Sequence, residues 1–357
     1  MTITINRAAP DRCRRKPEKN EALPFGKIFS DHMFLLNYEE GKGWSNGRIV
    51  PYGPIELHPT AVVLHYAQEI FEGLKAYYAK DGGICLFRPD QNAERMNRSA
   101  TRLCMPTIPV ETQINAIREL IRLDQDWIPR ADGSSLYIRP TMIATEPALG
   151  VRPSSEYLYF IVTGPVGAYY AKGFEPVRIL VEENYIRAAR GGLGEAKTGA
   201  NYAASILAAK EAKGKGFDQV LWLDAETRRF VEEVGTMNIF FVFDGELVTP
   251  PISGSILPGI TRDSVIRLAK SWNIPVMERP VEIDEVIRRA QDGSMSEAFG
   301  TGTAAVISPI GGFSFQGKDV AVSSGRVGEL AKRLYDEITG IQYGMIEDRH
   351  NWVHRVE

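Results

Sequence analysis

One lysine sits among very small residues in Gly191-Gly-Leu-Gly-Glu-Ala-Lys197-Thr-Gly-Ala-Asn-Tyr202. Small residues let a backbone come close to a flat ligand. A lysine held in such a pocket can lose its proton and form a Schiff base with a carbonyl. Taken alone, the segment also suits a surface lysine in a glycine-rich loop, and exposed lysines far outnumber nucleophilic ones. Downstream lies Arg229-Phe-Val-Glu-Glu233-Val-Gly-Thr236-Met-Asn238. A strand ending in a buried carboxylate can hold a protonated ring nitrogen. In a regular strand Glu232 and Glu233 point to opposite faces, and periodicity does not say which faces inward. Both could equally be solvated edge charges. Next comes Leu257-Pro-Gly259-Ile260-Thr261-Arg262, ahead of an expected helix. A glycine, N–H groups and a threonine hydroxyl at a helix start make either an anion site or an ordinary capped helix. Arg95, on an expected helix of its own, can neutralise the same anion or join a surface ion pair.

Two mixed α/β halves must position these groups. In the first, residues 90–102 and 112–127 read as helices, with Ile114, Ile117, Leu120 and Ile121 on one face. Strands are expected at 84–87 and 157–163. Glycine and proline crowd residues 164–176, which marks a connector and a domain boundary. The second half opens with a strand at 177–182, then a small-residue helix at 200–214. Apolar runs at 220–223, 237–243 and 304–307 read as buried strands. Helices are expected at 261–270, 284–291 and 324–338, the last with Val327, Leu330, Leu334 and Ile338 as its apolar stripe. The alternation lacks the even spacing of a doubly wound sheet, so it predicts α+β domains. The resulting division is an arm at 1–24, a first domain at 25–166, an interdomain loop at 167–178 and a second domain at 179–357.

Composition narrows the function. A length of 357 residues suits two domains at roughly 150 residues each. Lys and Arg number 42 against 45 Asp and Glu, a net charge of −3, so there is no general basic footprint for nucleic acid or anionic membrane. No apolar run approaches the roughly 18 residues of a membrane helix. Three cysteines cannot form a disulfide framework and read as the reduced thiols of a cytoplasmic protein, with Cys85 and Cys104 in the core. The arm holds Arg7, Arg12, Arg14, Arg15, Lys16 and Lys19, but Asp11 and Glu18 interrupt them. That pattern predicts a flexible solvated arm rather than a transit peptide. Residues 312–319 nearly spell a phosphate-binding loop, yet Asp319 stands where a hydroxyl is needed, so a hairpin turn between Phe315 and Val320 is expected. His350 and His354 are four apart but have no third ligand, so no metal site is expected.

Eight ordered motifs then converge. They are Phe25-Gly-Lys-Ile-Phe-Ser-Asp-His-Met33, Phe71-Glu-Gly-Leu-Lys-Ala76, Leu136-Tyr-Ile-Arg-Pro140, Gly164-Pro-Val-Gly-Ala-Tyr169, the Lys197 segment, Glu233-Val-Gly-Thr-Met-Asn238, Leu257-Pro-Gly-Ile-Thr261 and Phe299-Gly-Thr-Gly-Thr-Ala304. From about Phe25 onward the chain resembles the branched-chain-amino-acid aminotransferases, which are class IV, fold type IV, pyridoxal-phosphate enzymes. The resemblance implies a small N-terminal α/β domain and a larger C-terminal domain with a barrel-like sheet. It implies a cytoplasmic homodimer that moves an amino group between leucine, isoleucine or valine and 2-oxoglutarate.

By that resemblance Lys197 carries the cofactor and shuttles the proton, and Glu233 pairs with the pyridinium nitrogen. Tyr202 bonds the phenolic oxygen. Arg95 binds the phosphate together with the backbone of Ile260 and Thr261 and the hydroxyl of Thr303, and Thr236 lies beside the ring. The Thr303–Ala304 turn holds the substrate α-carboxylate, helped by Tyr66. Phe25, Phe71, Tyr137 and Tyr169, with Leu149 and Val151 across a dimer, line the side-chain pocket. Arg139 orients Tyr66 and helps accept the second carboxylate of glutamate. An apolar wall rewards branched side chains at roughly 0.8 kcal/mol per buried CH₂. Some animal members carry a Cys-x-x-Cys pair after the α-carboxylate turn. Ala305 and Ser308 occupy those positions here, so no thiol switch is expected there.

Overall fold

The computed structural model describes residues 2–18, 21–167 and 174–356. Contacts divide the chain into two compact units. One is Met1–Tyr169 with Ala196–Gly199 and Gly340–Glu357; the other is Tyr170–Glu195 with Ala200–Thr339. Residues 196–199, with Lys197, and residues 340–357 thus group with the first unit, whereas the sequence assigned both to a second domain at 179–357.

The first unit is built on a nine-stranded sheet. At its centre Ser135–Ala144 pairs antiparallel with Glu156–Val166, with Leu74–Tyr78 and with the short strand Glu69–Phe71. Leu136, Ile138, Pro140, Met142 and Ala144 are buried, while Tyr137, Arg139, Thr141 and Ile143 between them are partly exposed. That is the period of two that a strand imposes. It places Tyr137, Arg139 and Thr141 together on the face away from the core. The core face packs against helices Pro89–Arg102 and Val110–Leu123, with Met96, Ala100, Ile117 and Leu120 meeting Ile70, Leu86 and Ile138. Each of the larger side chains contributes about 1.5–3 kcal/mol by leaving water.

In the second unit, six strands close on themselves. Val177–Val181 pairs with Gln219–Leu223 and Val306–Phe315; the ring continues through Met295–Gly302, Met237–Phe243 and Val231–Val234 back to Gln219–Leu223. Closure into a barrel removes the free edges of the ring. Ile179, Leu221, Val234, Ile239, Phe241 and Phe313 belong to its apolar core.

Several expectations change. The apolar run 304–307 begins its strand only at Val306, because residues 303–305 form a turn. The helix expected at 324–338 starts at Glu329, since Ser324 adopts φ 53° in a separate turn. Residues 164–166 are strand, paired with Ser135–Tyr137, not connector. The hairpin of His32–Glu39 with Gly43–Pro51 has no counterpart among the expected strands. Asn37, Ser45, Asn46 and Arg48 interrupt its apolar alternation. Cys104 is exposed rather than in the core; it sits at φ 53° in the turn that follows helix Pro89–Arg102.

The N-terminal arm is tied down where a flexible arm was expected. Thr4–Ile5 pairs parallel with Gly43–Pro51. The Ala8 N–H donates to His32 Nε2 at 2.9 Å, and His32 Nδ1 lies 2.6 Å from Asp124. The Arg14 N–H donates to Asp31 at 2.7 Å, and its guanidinium stacks 4.3 Å over Tyr52. The phosphate-loop look-alike is the hairpin its sequence suggests, with Phe315 opposite Lys318 and positive φ at Gln316 and Gly317. His350 stacks on Trp352, and His354 lies in strand Val353–Val356. Among the described residues no cluster could hold a metal, and no helix is long and apolar enough to cross a membrane.

Candidate active site

In the first unit, Lys197 lies on irregular backbone just before helix Gly199–Gly214. Its Nζ stands 4.7 Å from the centre of the Phe71 ring. Phe71 pairs with Thr141, so it shares the sheet face of Tyr137 and Arg139. The Arg139 guanidinium lies 4.7 Å over Phe71 and donates to Tyr137 Oη at 3.0 Å. Phe25 meets Tyr137 edge to face at 4.8 Å. A Cβ at Gly73 would strike Tyr137 Oη, which accounts for the glycine after Glu72. Tyr66 Oη donates to the Leu149 carbonyl. Within the chain, then, the Arg139 guanidinium bonds Tyr137. Tyr66, Leu149, Val151 and Phe25 are exposed, Val151 at 84%. Tyr169 lies outside the described residues.

Arg95 is buried on helix Pro89–Arg102 and forms a bidentate pair with Glu72, Nε to Oε1 at 2.8 Å and Nη2 to Oε2 at 2.9 Å. The Asn92 amide adds a third bond at 2.7 Å. Burial pushes the Glu72 carboxyl up, but Arg95, Lys197 and Asn92 outweigh it and hold it below the usual carboxylate range. Two of the five guanidinium donors are thereby directed by Glu72. The sequence motif contains Glu72, yet nothing in its spacing announces this partner.

In the second unit a small pocket brings together Tyr202, Glu233 and Thr236 with Arg187, Asn201 and Leu257. Both glutamates of strand Val231–Val234 are buried, so neither is a solvated edge charge. They face opposite ways. Glu233 pairs with Arg187 at 2.6 Å and accepts from Asn238 Nδ2 at 3.1 Å. Glu232 accepts from Ser255 Oγ and lines a different cleft with Arg190, Asp224 and Pro250. Asn238 also donates to the Leu257 carbonyl at 2.9 Å, which ties Glu233 to the loop before helix Ile260–Ser271. That helix opens with Ile260 and Thr261 after Gly259, where a Cβ would collide with Asn238. Thr303 and Ala304 lie in the turn between Met295–Gly302 and Val306–Phe315. It ends on Val306 at φ 62°. A β-branched residue there costs of order 1–3 kcal/mol, the kind of strain found at ligand clamps.

Arg187 and Asn238 were not singled out as site residues. Nor was Lys75, which is buried and lies opposite Tyr137 in the sheet. Burial alone pushes Lys75 down to about 8.

The chemistry of these groups fits pyridoxal phosphate. One unit carries a lysine beside an aromatic face and a buried arginine. The other carries a buried, charge-balanced carboxylate beside a tyrosine, and a glycine-led helix start suited to phosphate. The family description "Amino-transferase class IV" matches residues 69–312. Branched-chain-amino-acid aminotransferase 2 of Bacillus subtilis (strain 168) is 52% identical over 341 residues, 96% of this chain and 94% of that protein. The crystal structure of the Escherichia coli branched-chain amino acid aminotransferase aligns with a TM-score of 0.77 at 29% identity, over 92% of this chain and 99% of that one. The branched-chain amino acid aminotransferase of Thermobaculum terrenum, in its PLP-bound holo form, aligns with a TM-score of 0.71 at 26% identity, over 91% of this chain and 98% of that one. A lysine, a charge-balanced glutamate and a glycine-led helix start are what pyridoxal phosphate asks for, and with a half-identical relative over nearly its whole length the chain belongs to the branched-chain-amino-acid aminotransferases of class IV.

Proposed function

We propose that the chain catalyses reversible amino transfer between L-leucine, L-isoleucine or L-valine and 2-oxoglutarate. Bound pyridoxal phosphate supplies an electron sink for the carbanion formed at the substrate Cα. Lys197 would attach the cofactor and, once released, would take and return the substrate Cα proton. Glu233 holds the ring nitrogen protonated, and Arg187 offsets its buried charge. Tyr202 would bond the ring's phenolic oxygen, and Thr236, lining the same pocket, would lie beside the ring. Arg95, aimed by Glu72, joins Ile260, Thr261 and Thr303 on the phosphate. Thr303 and Ala304 take the α-carboxylate. The three cysteines, all free thiols, fit a reducing cytoplasm.

One observation carries the dual specificity. Arg139 stands on the aromatic wall of Phe71 and Tyr137, and its Nε is buried with no hydrogen-bond partner among the described residues. A buried unsatisfied donor is costly, so it favours a ligand that supplies an acceptor. The γ-carboxylate of glutamate is such a ligand, whereas leucine uses only the wall. Arg139→Met therefore slows the glutamate half-reaction at least about tenfold more than the leucine one, since a charged hydrogen bond contributes roughly 1.5–3 kcal/mol. Single-turnover rates measured separately with each amino acid check this; an equal loss would remove Arg139 from γ-carboxylate binding. The basic assignment is tested by the visible spectrum of purified holoenzyme. L-leucine converts its band to that of the amino form, and 2-oxoglutarate restores it.

The active unit is a homodimer. Phe25, Tyr66, Leu149 and Val151 leave apolar surface open on one chain, at 40% exposure or more. A second copy that covers Tyr66, Leu149 and Val151 completes the pocket. Light scattering on active enzyme should give twice the 39.7 kDa chain mass. Full activity from a single-chain species would refute the shared pocket.

A further inference from the structure

Residues 196–198 have no helix or strand of their own to fix them. Hydrogen bonds from other elements hold the backbone at and after Lys197. Its N–H donates to Ser99 Oγ at 2.9 Å. Its carbonyl accepts from the Phe71 N–H at 2.9 Å. Two residues on, the Gly199 N–H donates to Glu69 Oε1. Glu69 and Phe71 alternate on one three-residue strand and so share a face. That face meets the lysine backbone, the lysine tip and the first amide of helix Gly199–Gly214. The approach is close: a Cβ at Gly199 would run into the Glu69 carboxylate. A carboxylate there also meets the favourable end of the helix dipole. Ser99 is fully buried on helix Pro89–Arg102, one turn beyond Arg95.

We propose that Glu69 and Ser99 are positioning residues for Lys197. They hold the peptide units on either side of the lysine, so that its four-carbon stem delivers Nζ to the reacting carbon. The inference rests on Lys197 being the cofactor-bearing lysine. Glu69 also lies in the field of Arg139, so its charge could matter for a different reason. The two roles separate by substitution. Glutamine keeps an oxygen for the Gly199 N–H and loses the charge; leucine loses both.

The test uses holoenzyme and three variants, Glu69→Gln, Glu69→Leu and Ser99→Ala. The readouts are the pH titration of the visible cofactor band and the single-turnover rate with L-leucine. Misplacing a reacting group by an ångström costs about 100-fold. Glu69→Leu and Ser99→Ala should therefore lose about 10- to 100-fold in rate, with half-saturating leucine little changed. The band's titration midpoint should move by about half a unit or more in both. Glu69→Gln should stay within about threefold of wild type. Wild-type rates and midpoints in both Glu69→Leu and Ser99→Ala would overturn the proposal, as would a Glu69→Gln variant as impaired as Glu69→Leu. Borohydride reduction and peptide mapping keep the underlying assignment separate: a label away from Lys197 brings down that assignment, and the positioning role with it.

Discussion

Lys197→Ala abolishes the visible band of the holoenzyme and ends multiple turnover. Alanine has no amine to attach the cofactor and none to carry the proton at Cα. The two losses compound, because one group serves both steps. General acid–base catalysis alone contributes about 10²–10⁴-fold. A substitution that also removes the attachment should leave only stoichiometric, slow conversion of free cofactor. Among the described residues, Lys75 is a rival that must be excluded. Lys75 is buried, lies opposite Tyr137 on the face that carries Phe71 and Arg139, and is pushed down to about 8 by burial. It has the environment of a reactive lysine. Borohydride reduction of wild-type holoenzyme should nevertheless fix the label to Lys197. A label on Lys75 would refute the assignment outright.

What the sequence made legible follows from distance along the chain. Lys197, Tyr202, Glu233 and Thr236 lie in short ordered motifs, and so do Thr261 and Thr303. Helices Pro89–Arg102 and Val110–Leu123 announce themselves by a strong 3.6-residue stripe. The groups that hold those residues in place could not be read the same way. Ser99 reaches Lys197 from 98 residues away, and Glu69 reaches Gly199 from 130. Arg187 meets Glu233 only because residues 182–194 form an irregular loop that brings its side chain back to the barrel strand. No period in the sequence records such a contact. The N-terminal arm shows the same limit. Its anchoring strand is two residues long and its hydrogen bonds go to Ile49, His32 and Asp31, so composition alone suggests a free segment. The Ser135–Ala144 strand lies between these cases. Its Tyr137-x-Arg139 pair was legible as a motif, and the alternation that aims both side chains one way became plain only from their half-exposure beside buried neighbours.

The strand that carries the two adjacent glutamates turns that alternation into a measurement. Glu233→Gln should keep cofactor and lower turnover by about 10²–10³-fold or more, the loss expected when one preorganised electrostatic partner is removed. An amide cannot hold a pyridinium protonated as a carboxylate does. The variant also leaves the buried Arg187 guanidinium, 2.6 Å from Glu233 in the wild type, without its counter-charge. Rates should therefore be taken per folded, cofactor-bearing protein, with a thermal melt alongside. Glu232→Gln is the internal control. That carboxyl is pushed up by burial, against the pull of the Ser255 hydroxyl. Glutamine keeps an oxygen for Ser255 and nearly the same volume, and turnover should stay within about twofold. The two substitutions are one residue apart and identical in chemistry, so only the direction each side chain faces distinguishes them. A large loss with Glu232→Gln and none with Glu233→Gln would mean that the cofactor lies on the face of Arg190 and Asp224, and that the pocket holding Tyr202 and Thr236 serves something else.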